Sequence, residues 1–133
     1  MLMRKDTANW IALTDYDIET AQHMLETGRY LYVIFLCHFS LEKMLKAHVA
    51  EVTQTLPIKT HDLIYLVKTS GLKLPEKHLD FLGKINTASI PTRYPDDLQR
   101  SLKEYPKSVA KDYLAKTQEI LQWLRQHPNL NKS

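Results

Sequence analysis

The amino-acid sequence predicts an all-α protein, an up-and-down bundle of four to five helices. Apolar residues recur at steps of three and four in several stretches, which is the spacing of one helix face. No stretch shows the strict apolar–polar alternation that is typical of a half-buried strand. Most connections between the helical stretches are short, so consecutive helices are expected to run antiparallel.

Composition places the chain among ordinary globular proteins. Its 133 residues, 44% of them apolar, are expected to form a single domain over 1–133 with a core at about 7–126. A net charge of +3 does not by itself indicate a strongly basic nucleic-acid surface, although it is compatible with an anionic ligand. Apolar runs fall far short of the ~18 residues that span a bilayer, so we expect a cytoplasmic protein without a membrane segment.

The first helix is predicted from Asp6 or Thr7 to about Glu26, and Gly28 is its stop signal. Asp17 stands out on its inward face and is expected either to lie at the rim of the apolar stripe or to pair with a core-facing base such as Lys46. The face as a whole is predicted to consist of Trp10, Thr14, Asp17, Ile18, Ala21, Met24 and Leu25.

The central helix is predicted from Tyr30 to between Thr53 and Thr55, before Pro57. His38, Glu42 and Lys46 are four residues apart and form a polar stripe, interpreted as an internal hydrogen-bonded ladder, with ligand contact at His38 as the alternative. An aromatic cluster at the start is interpreted as core or dimer contact rather than a base-stacking platform. The apolar face is predicted as Ile34, Cys37, Leu41, Leu45, Val49 and Val52, and the aromatic cluster as Tyr30, Tyr32, Phe35 and Phe39.

Three further segments complete the bundle. A third helix is predicted over about 61–69 with Thr60 as N-cap, and a fourth from Pro75 to about Ser89. The stretch 90–105 is predicted to be irregular, because no helical period survives around its two prolines. A fifth helix is predicted over about 106–126, followed by a frayed tail at 128–133. The inward face of that helix is predicted as Ala110, Tyr113, Leu114, Thr117, Ile120, Leu121 and Leu124.

The candidate site lies at the helix ends. The sequence has no glycine-rich phosphate loop, no HExxH and no CxxC, and its six histidines lack ligand spacing, so neither a metal nor a cofactor is expected. Arg93, Tyr94 and Asp96 fall together before the last helix, and an arginine beside a tyrosine can bind the phosphate and base of a nucleotide. The alternative is a turn in which Arg93 caps carbonyls or pairs with Asp17 or Glu42.

Several segments, taken in order, resemble the HEPN family (higher eukaryotes and prokaryotes nucleotide-binding domain). They are the helix NWIALTDYDIETAQHML, the turn GRY, the helix CHFSLEKMLKAHV, and the short motifs THDL and RYPD. The match extends over about residues 7–125. The resemblance implies a bundle of four main helices, commonly dimeric, often encoded beside a minimal nucleotidyltransferase with which it forms a toxin–antitoxin pair.

Some members of the family cut RNA without metal, using an arginine followed after four to six residues by a histidine. Arg93 matches that arginine, but Leu98, Gln99 and Arg100 occupy the histidine positions, and none of them can shuttle a proton at neutral pH. The resemblance therefore favours a protein that is not an enzyme. Arg93, Tyr94 and Asp96 carry over from it as candidate ligand or partner contacts. The further candidate ligand contacts are His61, Lys46 and Glu42.

Three functional hypotheses follow. The first is a homodimeric HEPN-type protein that binds a nucleotide or a nucleotide-bearing partner, paired with a minimal nucleotidyltransferase in a toxin–antitoxin-like system. The second is a metal-independent endoribonuclease toxin that uses Arg93 and a histidine from elsewhere, such as His61. The third is a non-catalytic interaction or dimerisation bundle.

Overall fold

A computed structural model describes residues 2–131, and this part of the chain contains helices and no strand. The predicted all-α bundle is confirmed. α2 is its central element, because it packs against every other helix. No helix in the described range is both long and apolar enough to cross a bilayer. The helices are α1 (Lys5–Glu26), α2 (Tyr30–Thr53), α3 (Leu63–Ser70), α4 (Glu76–Arg93), α5 (Leu98–Glu104) and α6 (Lys107–Gln126), with a 3-10 turn at Pro128–Leu130.

The α1–α2 hairpin has the predicted bounds except at its start, where α1 begins at Lys5 with Arg4 as N-cap, so the prediction of Asp6 or Thr7 as the cap is wrong. Gly28 has a φ of +80°, a left-handed conformation that glycine adopts without steric cost, and it reverses the chain after α1. The turn is closed by the backbone N–H of Arg29, which donates to the carbonyl of Met24 at 2.8 Å. The short turn explains why the two helices lie side by side as antiparallel neighbours.

The apolar face of α2 is buried as predicted, except at its last position. Cys37, Leu41 and Leu45 are fully buried, but Val52 is 43% exposed because it lies in the final turn, beyond the neighbouring helices. Burial raises the pKa of the Cys37 thiol to about 12, so this cysteine is an inert core residue. The middle of α2 is therefore surrounded by protein.

Asp17 is buried on the inward face of α1, but its partner is not the predicted one. Its carboxylate accepts a hydrogen bond from Lys43 Nζ at 2.6 Å. Lys43 lies three residues before Lys46 on the same side of α2, and the Lys46 ammonium instead lies 5.4 Å from the centre of the Trp10 ring of α1. The prediction that Asp17 pairs with a base on α2 is confirmed, whereas the choice of Lys46 is wrong.

The start of α3 differs from the prediction by two residues. Asp62, rather than Thr60, is the N-cap, and its side chain accepts hydrogen bonds from the backbone N–H groups of Ile64 and Tyr65. Thr60 instead accepts from the N–H of Asp62 and so shapes the preceding turn. The carboxylate is the stronger cap because its negative charge interacts favourably with the helix N-terminus.

The predicted end of α4 at Ser89 is wrong, because the helix continues through Pro91 to Arg93. Pro91 has no N–H to donate to the Thr87 carbonyl, but both residues are exposed, so water can bond that carbonyl. One residue later, the Thr92 hydroxyl donates to the carbonyl of Ala88 at 2.8 Å. This extra turn carries Arg93 onto the helix instead of leaving it in a loop.

The segment predicted to be irregular at 90–105 is mostly helical. After α4 ends, Asp97 caps the seven-residue α5 by accepting from the N–H of Arg100 at 3.2 Å. The period was hard to recognise because α5 has only two turns and buries only Ser101. The truly irregular part is the short connection 94–97.

α6 confirms its prediction most fully, since all seven predicted inward residues are buried. The tail beyond it was predicted to be frayed, and this is wrong for 128–131. The Asn129 side chain lies 3.2 Å from Nδ1 of buried His48, and His48 Nε2 lies 2.9 Å from the Leu124 carbonyl. Lys132 and Ser133 lie outside the described residues.

Candidate functional site

Glu42 is the centre of a buried hydrogen-bond network on α2. One carboxylate oxygen accepts from Lys46 Nζ at 3.0 Å, and the other lies 2.7 Å from His61 Nδ1. An ionised carboxylate only accepts hydrogen bonds, so Nδ1 of His61 carries the proton. Glu42 and Lys46 are 4% and 7% exposed, whereas the His61 side chain is 67% exposed. His61 is therefore the member of this network that a ligand can reach.

His38, one turn before Glu42 on α2, lies against α4. Its Nε2 lies 3.4 Å from Asn86 Oδ1, and the same amide oxygen accepts from the backbone N–H of Leu63. Asn86 also donates to the Asp62 carboxylate at 3.2 Å, which ties α4 to the start of α3. Sequence reasoning missed Asn86, because an isolated asparagine within a helical stretch has no recognisable motif.

Burial lowers the pKa of His38, and the nearby charge of Arg93 lowers it further, while the Glu42 carboxylate opposes both. His38 is therefore a neutral imidazole at pH 7. Its Nδ1 is buried and has no hydrogen-bond partner within residues 2–131. Glu42 and Arg93 are therefore both close enough to His38 to affect its pKa.

Arg93 ends α4 with its guanidinium above an aromatic ring. The guanidinium carbon lies 4.4 Å from the centre of the Phe39 ring, which is a cation–π contact. Its Nε and Nη2 are buried, and neither finds an acceptor among the residues that the structure describes. The two carboxylates proposed as partners are bound elsewhere, Asp17 to Lys43 and Glu42 to Lys46 and His61.

Arg93 also lines a cavity of about 230 Å³ between the start of α2 and the α4–α5 connection. Arg29 lies on the same cavity, and no aspartate or glutamate of the described chain is among the lining residues. Tyr30, Tyr32 and Leu98 supply part of its apolar wall. Sequence reasoning assigned no role to Arg29, although the GRY turn that contains it was one of the segments of the resemblance.

Tyr94 and Asp96, the other two residues of the predicted loop contact, lie beside this cavity without lining it. Tyr94 is 71% exposed and Asp96 is also exposed. Within residues 2–131, neither side chain forms a hydrogen bond or ion pair with the Glu42 network. The structure therefore brings Glu42, Lys46 and His61 together, holds Arg93 against Phe39 beside the cavity, and leaves Tyr94 and Asp96 at the surface.

The chemistry available at this site is anion binding and hydrogen bonding. No group of three or more His, Cys, Asp or Glu side chains in the described range could hold a metal ion. Leu98, Gln99 and Arg100 occupy the positions five to seven residues after Arg93, so none of the three supplies an imidazole at the spacing of an Arg–His pair. The site therefore consists of the Arg93 guanidinium, which has two nitrogens without an acceptor in the described residues, beside a cavity that Tyr30 and Tyr32 help to line.

Comparison with solved structures finds the same fold. The protein TT1696 from Thermus thermophilus superimposes with a TM-score of 0.78 at 21% identity, covering 92% of this chain and 98% of its own. ST0689, described as an archaeal HEPN homologue, superimposes with a TM-score of 0.73 at 22% identity, covering 92% and 97%. No curated protein matches the sequence.

The sequence profile of the HEPN domain matches residues 7–127, nearly the whole chain. That range begins just inside α1 and ends just after α6, so it contains all the helices that form the core and every residue of the candidate site. The resemblance inferred from the motifs is confirmed. The chain belongs to the HEPN domain family.

Proposed function

We propose that this protein binds a nucleotide, or a partner that carries one, through the phosphate, with Arg93 as the principal contact. The observation that carries the proposal is the guanidinium with two buried N–H-bearing nitrogens and no acceptor in residues 2–131. A buried donor without a partner costs about 1–3 kcal/mol, and a charged one costs more. An acceptor that comes from outside the chain would remove this cost.

Phosphate suits the guanidinium better than other acceptors do. Its oxygens accept two parallel hydrogen bonds from one arginine, and these charge-assisted bonds are stronger than neutral ones. The Phe39 ring at 4.4 Å fixes the plane of the guanidinium and so reduces the entropy lost on binding. Arg29 lies on the same cavity and adds a second positive charge.

His61 is proposed as a further ligand contact, since it is exposed and its ring orientation is fixed by Glu42. Glu42 and Lys46 act through His61 because both are buried. Tyr94 and Asp96 stay proposals as contacts of the partner rather than of the nucleotide, because they are exposed next to the cavity. No catalytic role is proposed for any of these residues.

The partner proposed from family membership is a minimal nucleotidyltransferase, within a toxin–antitoxin-like pair in the cytoplasm, and the HEPN protein itself is proposed to be a homodimer. Inspection of the neighbouring reading frames tests this part directly. A minimal nucleotidyltransferase encoded beside this chain, which co-elutes with it after co-expression, is the expected result. A neighbour of that type that does not co-elute contradicts the proposed partner.

Nucleotide binding is tested by thermal unfolding and isothermal titration calorimetry with inorganic phosphate, AMP and ATP. At about 100 times the dissociation constant, a ligand specific for the native state should raise the melting temperature by roughly 5–10 °C. Arg93→Met should weaken binding roughly ten- to a hundredfold. The matched control is Arg125→Met, because Arg125 on α6 already pairs with Asp15. Binding that is insensitive to Arg93→Met contradicts the proposal.

A further inference from the structure

The cavity next to Arg93 has two chemically different parts. Arg29 and Arg93 make one part positive, and no carboxylate in the described chain lines it. The other part is apolar and includes Tyr32, Leu98 and Leu102, which are 50%, 52% and 40% exposed. A single exposed leucine needs no explanation, but three large apolar side chains around one concave surface indicate a contact site.

The aromatic side chain in that wall is held in place. The Tyr32 ring packs edge-on against Phe35, with ring centres 5.0 Å apart and an interplanar angle of 76°. Phe35 in turn packs edge-on against Phe39, the ring that lies beneath the Arg93 guanidinium. A continuous row of rings along α2 thus joins the apolar part of the cavity to the cation.

We infer that this cavity binds the base of the nucleotide whose phosphate is held by Arg93. The inference rests on the proposed function and adds the ligand's orientation to it: the phosphate lies at the arginines, and the flat heterocycle lies against Tyr32, Leu98 and Leu102. At about 230 Å³ the cavity is smaller than the ~300 Å³ at which pockets for drug-sized ligands begin. Its size therefore suits one base rather than a dinucleotide.

The side chains that line the cavity also limit how well it can distinguish one base from another. Thr92 is buried, and its hydroxyl already bonds the carbonyls of Ala88 and Ser89. The polar side chains left to the cavity are two arginines and two tyrosines, which do not form a fixed pattern of donors and acceptors for one base edge. Stacking is tolerant of base identity because every base has an aromatic face. AMP, GMP and CMP should therefore bind within a few-fold of one another.

The experiment compares AMP with ribose 5-phosphate by isothermal titration calorimetry on the full chain. The base should make AMP bind about five- to fiftyfold more tightly than ribose 5-phosphate. Tyr32→Ala and Leu102→Ala should each reduce this ratio towards one and leave the affinity for ribose 5-phosphate unchanged. Tyr16→Ala is the matched control, because Tyr16 is 73% exposed on α1 and lies outside the cavity.

Each other result has a definite meaning. Equal affinities for AMP and ribose 5-phosphate, both lost in Arg93→Met, overturn the base subsite and leave the proposed function intact. No binding of either ligand, or binding that does not depend on Arg93, overturns both. If Tyr32→Ala converts a dimer to a monomer in light scattering while the affinity ratio is unchanged, this surface contacts a second copy of the chain, and the base subsite is wrong.

Discussion

Two shielded cations lie against α2, and they differ in whether their hydrogen bonds are satisfied. Lys46 is 7% exposed and donates to Glu42, whose second oxygen is bonded by His61. Arg93 contacts the Phe39 ring, but its buried Nε and Nη2 have no acceptor in residues 2–131. The hydrogen bonds of Lys46 therefore stabilise the fold, whereas those of Arg93 are the ones that we propose a bound phosphate completes.

The largest effect is expected from breaking the satisfied network. Glu42→Ala leaves the Lys46 ammonium buried without its counter-ion, and removal of one partner from a buried pair costs about 3–5 kcal/mol. Urea denaturation at pH 7 measures this loss. The control is Glu104→Ala, because Glu104 pairs with Arg100 at the exposed surface of α5 and should contribute little. Equal losses in the two variants would show that the Glu42 network does not stabilise the fold.

His48, whose two ring nitrogens both have hydrogen-bond partners, makes the free energy of unfolding depend on pH. Burial lowers the pKa of His48 from 6.5 in the unfolded chain to about 4. As the pH falls below about 6.5, the unfolded chain therefore takes up the proton first. The free energy of unfolding is fully retained above that pH and should fall by up to about 3 kcal/mol by pH 4.

Urea denaturation between pH 7 and pH 4 measures that slope. In His48→Gln the slope should become shallower, although burial of His38 and His78 contributes in the same direction. His23→Gln on the surface of α1 should leave the slope as it is. An unchanged slope in His48→Gln would mean that protonation of this imidazole does not limit folding.

The unsatisfied cation should contribute little to stability. Arg93→Met removes donors that have no acceptor in the described chain, which relieves a cost, and it also removes the contact with Phe39, worth about 0.5–1 kcal/mol. The relieved cost is at least as large as the lost contact, so the free energy of unfolding without ligand should not fall in this variant. Urea denaturation in parallel with Glu42→Ala provides the test. A loss comparable to that of Glu42→Ala would assign Arg93 to the fold.

The smallest expected effect concerns RNA. Purified protein incubated with total RNA and EDTA should produce no cleavage, because Leu98, Gln99 and Arg100 supply no imidazole after Arg93. Gel electrophoresis of the RNA measures the outcome, and Arg93→Ala distinguishes the chain's own activity from a contaminant. Cleavage that disappears in Arg93→Ala would establish the metal-independent endoribonuclease instead.

Sequence alone predicted most of this fold and only part of the candidate site. The inward face of α6 was predictable because its apolar residues keep a strong helical period over 20 residues. α5 was missed because a seven-residue helix that follows two prolines has too short a pattern to recognise. From the sequence, Lys43 and Lys46 were equally good candidate bases for Asp17, since both face α1 and only the packed helices decide which of them reaches the carboxylate.

The site was less predictable for a related reason. Arg93, Glu42 and His61 could be named as candidate contacts from the sequence, and the structure joins Glu42 to Lys46 and His61. That Arg93 lacks an acceptor in residues 2–131 could not be inferred, because it depends on where every neighbouring carboxylate is directed. Arg93 lacks a carboxylate partner because Asp17 pairs with Lys43 and Glu42 pairs with His61.

The most direct test is an NMR titration with AMP that follows the side-chain Nε–H signals of the arginines. We predict that the Arg93 signal moves downfield and exchanges more slowly with water as its donors gain phosphate oxygens, while that of Arg125, already paired with Asp15, stays constant. An unchanged Arg93 signal in a protein that binds AMP would contradict phosphate binding at this guanidinium, because the phosphate would then be held elsewhere.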